Sequence, residues 1–298
     1  MARRVATGAP ALGIRAVQTR SRRKDFLYGI LRTKGALAGL IILSLLILAA
    51  ILAPLITSYD PIVINPPDRT LPPSRDHWLG TDGFGRDIYT RVVYGARVSL
   101  PVGLIAVSIA ASIGAILGLV AGYFGRYADA IIMRIIDIML AFPSIMLALV
   151  VVAILGPSIR NVMIAVGISE IPRYTRLIRG QVLSARELLY VEAAKVVGVP
   201  TSKILIRHIL PNVVSPVVVL GTLSVGSAIL SAAGLSFLGL GAQPPRPEWG
   251  AMLADGRQFL SSHWWVATMP GLAIAITVLS INMFGDGLRD ILDPRIRT

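Results

Sequence analysis

A polar segment between two long apolar runs holds the residues of this chain whose types and spacing could do specific work. Residues 192–195 favour helix, and Gly198 breaks that helix. Pro200 can open a second helix, and Pro211 restricts its end. A helical hairpin with an acidic side chain is suited to docking on another protein, not to catalysis. The candidate docking residues are Glu192, Ala193, Ala194, Gly198, His208, Leu210 and Pro211.

Signatures of a bound nucleotide, a metal or a catalytic nucleophile are missing from the sequence. No lysine follows a glycine, so the phosphate-binding loop G-x-x-x-x-G-K-[ST] does not occur. The three histidines, His77, His208 and His263, do not pair at metal-ligand spacing. Because the chain has no cysteine, thiolate zinc sites and cysteine nucleophiles are excluded. We expect no enzymatic activity and no cofactor bound by this chain.

The elements that must position the hairpin are membrane-spanning helices. Hydrophobic residues make up 54% of the chain and its mean hydropathy is +0.71, which predicts an all-α, polytopic membrane protein. One crossing takes about 20 residues. The apolar runs predict six transmembrane helices, at 35–57, 98–123, about 131–155, about 161–177, about 213–241 and about 269–288.

Positive charge predicts the orientation, because cytoplasmic loops retain Lys and Arg. With both termini inside, the cytoplasmic segments contain 21 of the 29 basic residues, so we expect both termini to be cytoplasmic. Topology and anionic lipid headgroups then explain the net charge of +13. Binding to nucleic acid is not expected, because the basic residues are spread over several loops without interleaved aromatic side chains.

This topology divides the chain into parts. We expect a cytoplasmic basic tail at 1–34, a first helix at 35–57, an outer segment at 58–97, a five-helix core at 98–290 that includes the cytoplasmic loop 181–211, and a short cytoplasmic tail at 291–298. A second outer segment, 242–266, holds Trp249, Trp264 and Trp265. We interpret these tryptophans as an aromatic belt at the membrane interface, in preference to a ligand-stacking site.

Small residues and paired charges occur inside the predicted spans. Gly114, Gly118 and Gly122 would let another helix approach closely. Two pairs at i,i+3 spacing, Arg134 with Asp137 and Glu170 with Arg173, are interpreted as boundary ion pairs and not as a proton relay. On the fifth span, small side chains could serve tight packing within the chain, a partner subunit or a translocation path, and these alternatives stay open. The candidate path or interface residues are Ser224, Ser227 and Ser231.

Motifs over residues 30–295 resemble the inner-membrane permease subunits of binding-protein-dependent ABC importers, in the dipeptide and oligopeptide branch. Glu192-Ala193-Ala194, Gly198 and Leu210-Pro211 match the cytoplasmic EAA loop of that family. An aliphatic residue usually stands where this chain has His208. Further matches are Leu79-Gly80-Thr81-Asp82, Gly85-Arg86-Asp87, Gly95-Ala96-Arg97-Val98-Ser99-Leu100, Leu235-Ser236-Phe237-Leu238-Gly239-Leu240-Gly241 and Pro247-Glu248-Trp249-Gly250.

The resemblance implies the permease fold of type I ABC importers, in the inner membrane. It implies a second permease, two cytoplasmic ATPases that use ATP and Mg²⁺, and an extracytoplasmic substrate-binding protein. The implied cargo is a dipeptide or oligopeptide, with glutathione or a nickel chelate as alternatives. A self-sufficient secondary transporter and an intramembrane enzyme rank behind, because neither a deep carboxylate nor a catalytic dyad is found.

Overall fold

The computed structural model describes residues 33–292, so the tail expected at 1–34 and the tail expected at 291–298 lie almost entirely outside it. The described residues form helices and no β-strand, which confirms the all-α class. The helices are α1 Lys34–Ile51, α2 Ala53–Ile56, α3 Ile88–Phe124, α4 Arg126–Leu140, α5 Ser144–Leu155, α6 Ile159–Arg186, α7 Leu189–Val196, α8 Thr201–Lys203, α9 Leu210–Phe237, α10 Trp249–Gly256 and α11 Trp265–Leu292.

Between residues 33 and 292, four helices are long and apolar enough to cross a membrane, namely α1, α3, α11 and the continuous helix Thr201–Phe237 that joins α8 to α9. A fifth candidate span is the pair formed by α4 and α5, which is bent by 93°. The remaining long helix, α6, has 28 residues. Together, these helices are compatible with the six predicted crossings.

The second span begins ten residues earlier than predicted, at Ile88 instead of residue 98. Asp87 caps its first turn, because its Oδ2 accepts the backbone N–H of Thr90 at 2.7 Å. Residues 88–97, which we expected to belong to the outer segment, are therefore helical. The error arose because the charged and polar residues of these first turns interrupt the apolar run.

The third span is broken, contrary to the sequence prediction of one helix over 131–155. Pro143 disfavours helical backbone at the residue before it and stands at the N-cap of α5. The predicted pair between Arg134 and Asp137 is also wrong. Asp137 instead accepts a hydrogen bond from Arg176 of α6 at 2.6 Å. One pair is confirmed, since Arg173 lies 4.0 Å from Glu170.

Glycine residues bring α3 and α6 into direct contact. A Cβ atom at Gly114 would lie 2.5 Å from Cβ of Tyr174, and a Cβ atom at Gly118 would lie 2.8 Å from Cβ of Ile178. Gly122 makes the equivalent approach to the side chain of Val182 one turn further on. The close approach predicted from the four-residue glycine spacing is confirmed, and the partner is α6.

The interpretation of the tryptophans as an interfacial belt is wrong for two of the three. Trp249 is 1% exposed, and its Nε1 donates to the carbonyl of Val92 at 2.9 Å. Its ring fits over Gly95, where a Cβ atom would lie 2.9 Å from Cδ1 of the indole. Trp265 is buried as well, and Trp264 alone of the three is exposed. The segment between α9 and α11 folds onto α3, which sequence periodicity could not indicate.

We predict that Gly118→Leu disrupts the contact between α3 and α6. The new side chain would meet Ile178, so overpacking should cost at least about 1–3 kcal/mol. The melting temperature of the purified protein should fall by several degrees in a thermal unfolding assay. The matched control is Gly180→Leu on α6, where no atom lies within 4 Å of the position that a Cβ atom would take. Equal melting temperatures for the two variants would show that the stability does not depend on this contact.

Candidate functional site

The predicted docking residues lie in a helical hairpin, residues 189–209, formed by α7, a turn, α8 and the π-helical segment Ile204–Ile209. Gly198 makes the turn with a φ of +78°. Its N–H donates to the carbonyl of Lys195, and the N–H of Val199 donates to the carbonyl of Ala194, both at 3.0 Å. This pair of bonds is a Schellman motif, which requires a left-handed residue after the helix. Gly198 is therefore needed for its backbone conformation.

One face of the hairpin is anchored in the protein interior. Val191, Ile204 and Ile209 are fully buried or nearly so, and they belong to the same apolar cluster as Val182 and Ala185 of α6. These side chains therefore attach the hairpin to the end of α6 by close packing.

The opposite face of α7 is an exposed stripe. The exposed fractions of Leu189, Val196 and Val197 are 82%, 83% and 82%. Glu192 and Ala193 are exposed between them, and positions 189, 192, 193, 196 and 197 share one helical face. The Glu192 carboxylate makes no hydrogen bond or ion pair with any residue in the range that the structure describes. A compact apolar patch around one unpaired charge is typical of a protein interface. We call these five residues the docking stripe.

Of the remaining predicted residues, Ala194 is half-buried and packs on the interior cluster. His208 is half-buried too, and its backbone carbonyl accepts hydrogen bonds from two side chains. That carbonyl accepts hydrogen bonds from Nδ2 of Asn212 at 2.7 Å and from the hydroxyl of Tyr190 at 3.2 Å. Asn212 also donates to the Tyr190 hydroxyl at 2.7 Å. These bonds join the two arms of the hairpin. Sequence reasoning missed both residues, since only the fold brings them together.

We expected Pro211 to restrict the end of the second arm, but the helix continues past it. The chain passes through the π-helical segment into α9, and Thr201–Phe237 is one helix of 37 residues. Proline removes one backbone donor, and the helix passes through a π-helical turn just before it. Leu210 is the first residue of α9. The hairpin is thus continuous with a long membrane helix of about 55 Å.

The three serines of the candidate path lie on one face of α9 but differ in exposure. Ser224 is fully buried, Ser231 is half-buried and Ser227 is exposed. The hydroxyl of Ser227 donates to the backbone carbonyl of Ser224 at 3.0 Å. Ser224 therefore fits packing within the chain, whereas Ser227 is the member of the group that could face a partner or a solute.

Comparison with known proteins places this geometry in a family. The model of the family described as "Binding-protein-dependent transport system inner membrane component" matches residues 114–298. This chain belongs to that family. A second model, the N-terminal TM domain of oligopeptide transport permease C, matches residues 21–73. The protein is therefore a multi-pass inner-membrane permease subunit, a non-catalytic component of an ABC transporter, and its family implies ATPase and binding-protein partners.

Curated relatives cover nearly the whole permease. It is 54% identical to the dipeptide transport system permease protein DppC of Alkalihalophilus pseudofirmus, over 90% of this chain and 88% of the relative. It is 46% identical to the probable D,D-dipeptide transport system permease protein DdpC of Escherichia coli, over 86% of each chain. It is also 46% identical to a glutathione transport system permease protein GsiD of Pectobacterium atrosepticum, over 96% of this chain and 95% of the relative.

A solved structure shares the fold of the permease. An inward-facing conformation of the MetNI methionine ABC transporter contains a chain that matches with a TM-score of 0.51 and 19% sequence identity. The match covers 67% of this permease and 96% of that chain. At this identity the comparison supports the importer permease fold alone.

We predict that Gly198→Ala loosens the hairpin locally. A left-handed conformation costs an ordinary residue about 1–2 kcal/mol, so the Schellman bonds should open more often. Hydrogen exchange at the amide of Val199 should become faster by roughly 5- to 30-fold, measured by mass spectrometry on peptides that cover 189–200.

Gly180→Ala is the control for this experiment, because Gly180 has ordinary helical backbone and open space around it. The exchange at 189–200 should not change in that variant. Unchanged exchange in Gly198→Ala would show that the turn does not depend on glycine.

Proposed function

We propose that this permease moves dipeptides or short oligopeptides into the cell, together with a second permease, two cytoplasmic ATPases and an extracytoplasmic substrate-binding protein. Relatives named for dipeptide, D,D-dipeptide and di/tripeptide transport support this cargo at 54%, 46% and 45% identity. The glutathione relatives are 46% and 47% identical. Since glutathione is itself a tripeptide, the same transport pathway would accept a related backbone. A nickel chelate has no support among these relatives.

The orientation that we propose places the docking stripe and both termini in the cytoplasm. The distribution of Lys and Arg supports it, because the segment 173–211 holds seven basic residues. In this orientation, the stripe meets the ATPases, and ATP and Mg²⁺ bind to those partners. The single observation that carries the assignment is the stripe itself, where Glu192 stands unpaired between exposed apolar side chains within the described chain. A basic ATPase side chain would complete the contact.

The mechanism is a mechanical transfer of motion. When ATP closes the ATPase pair, the ATPases displace the hairpins. The continuous helix from Thr201 to Phe237 carries this displacement into the membrane, to the level of Ser227. The buried anchors of the hairpin move the end of α6 in the same step. Two ion pairs, Arg176 with Asp137 and Arg179 with Asp129, connect α6 to α4, so the bent pair α4–α5 follows.

Neighbouring contacts make α6 suited to this role. Arg186, at the end of α6, donates from Nη1 to the carbonyl of Gly122 on α3 at 3.0 Å. The hairpin, α6 and the adjacent end of α3 are therefore joined by packing and hydrogen bonds. We propose that they move as one rigid unit between inward-open and outward-open arrangements of the two permeases.

We predict that Glu192→Lys uncouples ATP hydrolysis from uptake. Reversing the charge removes the proposed contact with a basic ATPase side chain, and we expect peptide uptake into proteoliposomes to fall by about tenfold or more. The amount of the permease in the membrane should stay the same, because Glu192 is exposed and its carboxylate has no partner within the described part of its own chain.

The matched control is Glu187→Lys. Glu187 is exposed five residues earlier and pairs with Arg186 at 2.9 Å, outside the docking stripe. Uptake should remain near the wild-type level in this control. If Glu192→Lys transported peptide as well as Glu187→Lys does, the stripe would not be the coupling contact.

A further inference from the structure

A cavity of about 350 Å³ lies at the end of the bundle remote from the hairpin. Its walls come from both segments that the sequence analysis placed outside, residues 58–97 and 242–266. The polar residues that line it are Arg69, Asp82, Arg86, Arg91, Asp255 and Gln258. In the proposed orientation, this cavity faces the extracytoplasmic side, where the binding protein delivers substrate. We call it the outer pocket.

The carboxylate at the base of the outer pocket is already saturated. Oδ1 of Asp82 accepts the backbone N–H groups of Phe84 at 2.8 Å and Arg86 at 3.0 Å. Oδ2 of Asp82 accepts Nε of Arg86 at 2.7 Å, and Nε of Arg91 lies 3.4 Å from the same oxygen. One buried carboxylate therefore stands between two guanidinium groups, and positive charge is in excess there.

Arg86 has donors left over. The residue is 4% exposed, and its Nη1 and Nη2 make no hydrogen bond or ion pair with any residue between 33 and 292. Its guanidinium carbon lies 4.7 Å from the ring centre of Phe84. These N–H groups are accessible from the outer pocket, because they are not among the described side-chain atoms that are sealed from solvent without a partner. A carboxylate is the acceptor that fits two parallel guanidinium donors.

Other charges around the outer pocket do not cancel this excess. Arg91 is buried and donates from Nη1 to the carbonyl of Pro61 at 2.7 Å, a neutral partner. Arg69 adds a third positive charge, against the carboxyl groups of Asp82 and Asp255. Desolvation raises the pKa of the Asp255 carboxyl, while Arg86 and Arg91 act to lower it. Three guanidinium groups therefore stand against two carboxyl groups among the lining residues. The pocket as a whole favours an anion.

We infer that the outer pocket receives an acidic side chain, aspartate or glutamate, from the extracytoplasmic binding protein. This inference rests on the proposed function. Exposed apolar side chains, Ile64 and Phe84, stand among the lining residues, as at the rim of a protein interface. Ile88, Met252 and Val266 are buried and close the inner wall. Because the inner wall is closed, the pocket suits a side chain that enters and leaves from the same side. It does not suit a solute that must pass through.

The test uses the complete transporter in lipid nanodiscs and measures the Kd of its binding protein by surface plasmon resonance. Arg86→Gln should weaken binding by at least about tenfold, because truncating one partner of a buried charge pair is costly. Arg86→Gln also removes bonds to Asp82, so a second variant is needed. Gln258→Trp would fill the pocket without touching those bonds, and it should weaken binding comparably.

Arg75→Gln is the matched control, since Arg75 is exposed in the same segment and does not line the pocket. It should leave the Kd within about twofold of wild type. Neutralising the acidic surface residues of the binding protein one at a time should then identify one that weakens binding to the wild-type transporter. The same substitution should have no further effect on the Arg86→Gln transporter.

These outcomes distinguish a failure of the outer-pocket inference from a failure of the proposed function. Wild-type affinity in Gln258→Trp, or the absence of any acidic residue coupled to Arg86, would overturn the outer pocket while leaving the proposed function intact. Binding of a free dipeptide to the transporter alone, weakened by Gln258→Trp, would also overturn it, because the carboxylate would then come from the solute. A wild-type transporter that binds no substrate-binding protein would overturn both.

Discussion

The packing of α6 against the glycine face of α3 is the contact on which the rest of the structure depends. α6 carries one glutamate and several arginines, so it could not be stable alone in hydrocarbon. In a bilayer, helices associate through close packing and polar contacts, because lipid is as apolar as their side chains. Glycines on α3 provide the close packing. The pairs of Arg176 with Asp137 and Arg179 with Asp129 provide polar contacts on another side of α6.

The geometry at both ends of the bundle depends on this contact between α3 and α6. At one end, the hairpin packs on Val182 and Ala185 of α6, which holds the docking stripe next to the end of that helix. At the other end, the first turns of α3 carry Arg91 of the outer pocket, and Trp249 donates a hydrogen bond to the carbonyl of Val92 there. α3 spans 37 residues between these ends. The helix α3 therefore connects the part of the bundle next to the docking stripe with the part that carries the outer pocket.

Features that depend on local conformation could be predicted from the sequence. The turn at Gly198, the four-residue glycine spacing on α3 and the helical hairpin follow from backbone preference and short-range periodicity. The start of α3 at Ile88 and the break before Pro143 were missed, although Asp87 and Pro143 offered a local signal for each. Hydropathy registers neither signal, so the boundaries that it predicts differ from the observed ones by up to ten residues.

The sequence by itself determined the all-α membrane class and the family, because apolar composition and short motifs are properties of neighbouring residues. Only the tertiary structure decided which residue each charged side chain pairs with. Asp137 pairs across 39 residues with Arg176, and Trp249 reaches Val92 across 157. Burial was decided in the same way, since Ser224 and Ser227 have the same side chain and opposite exposure. The physical reason is that helices far apart in the chain meet face to face, and those faces determine which polar groups are paired and which stay available.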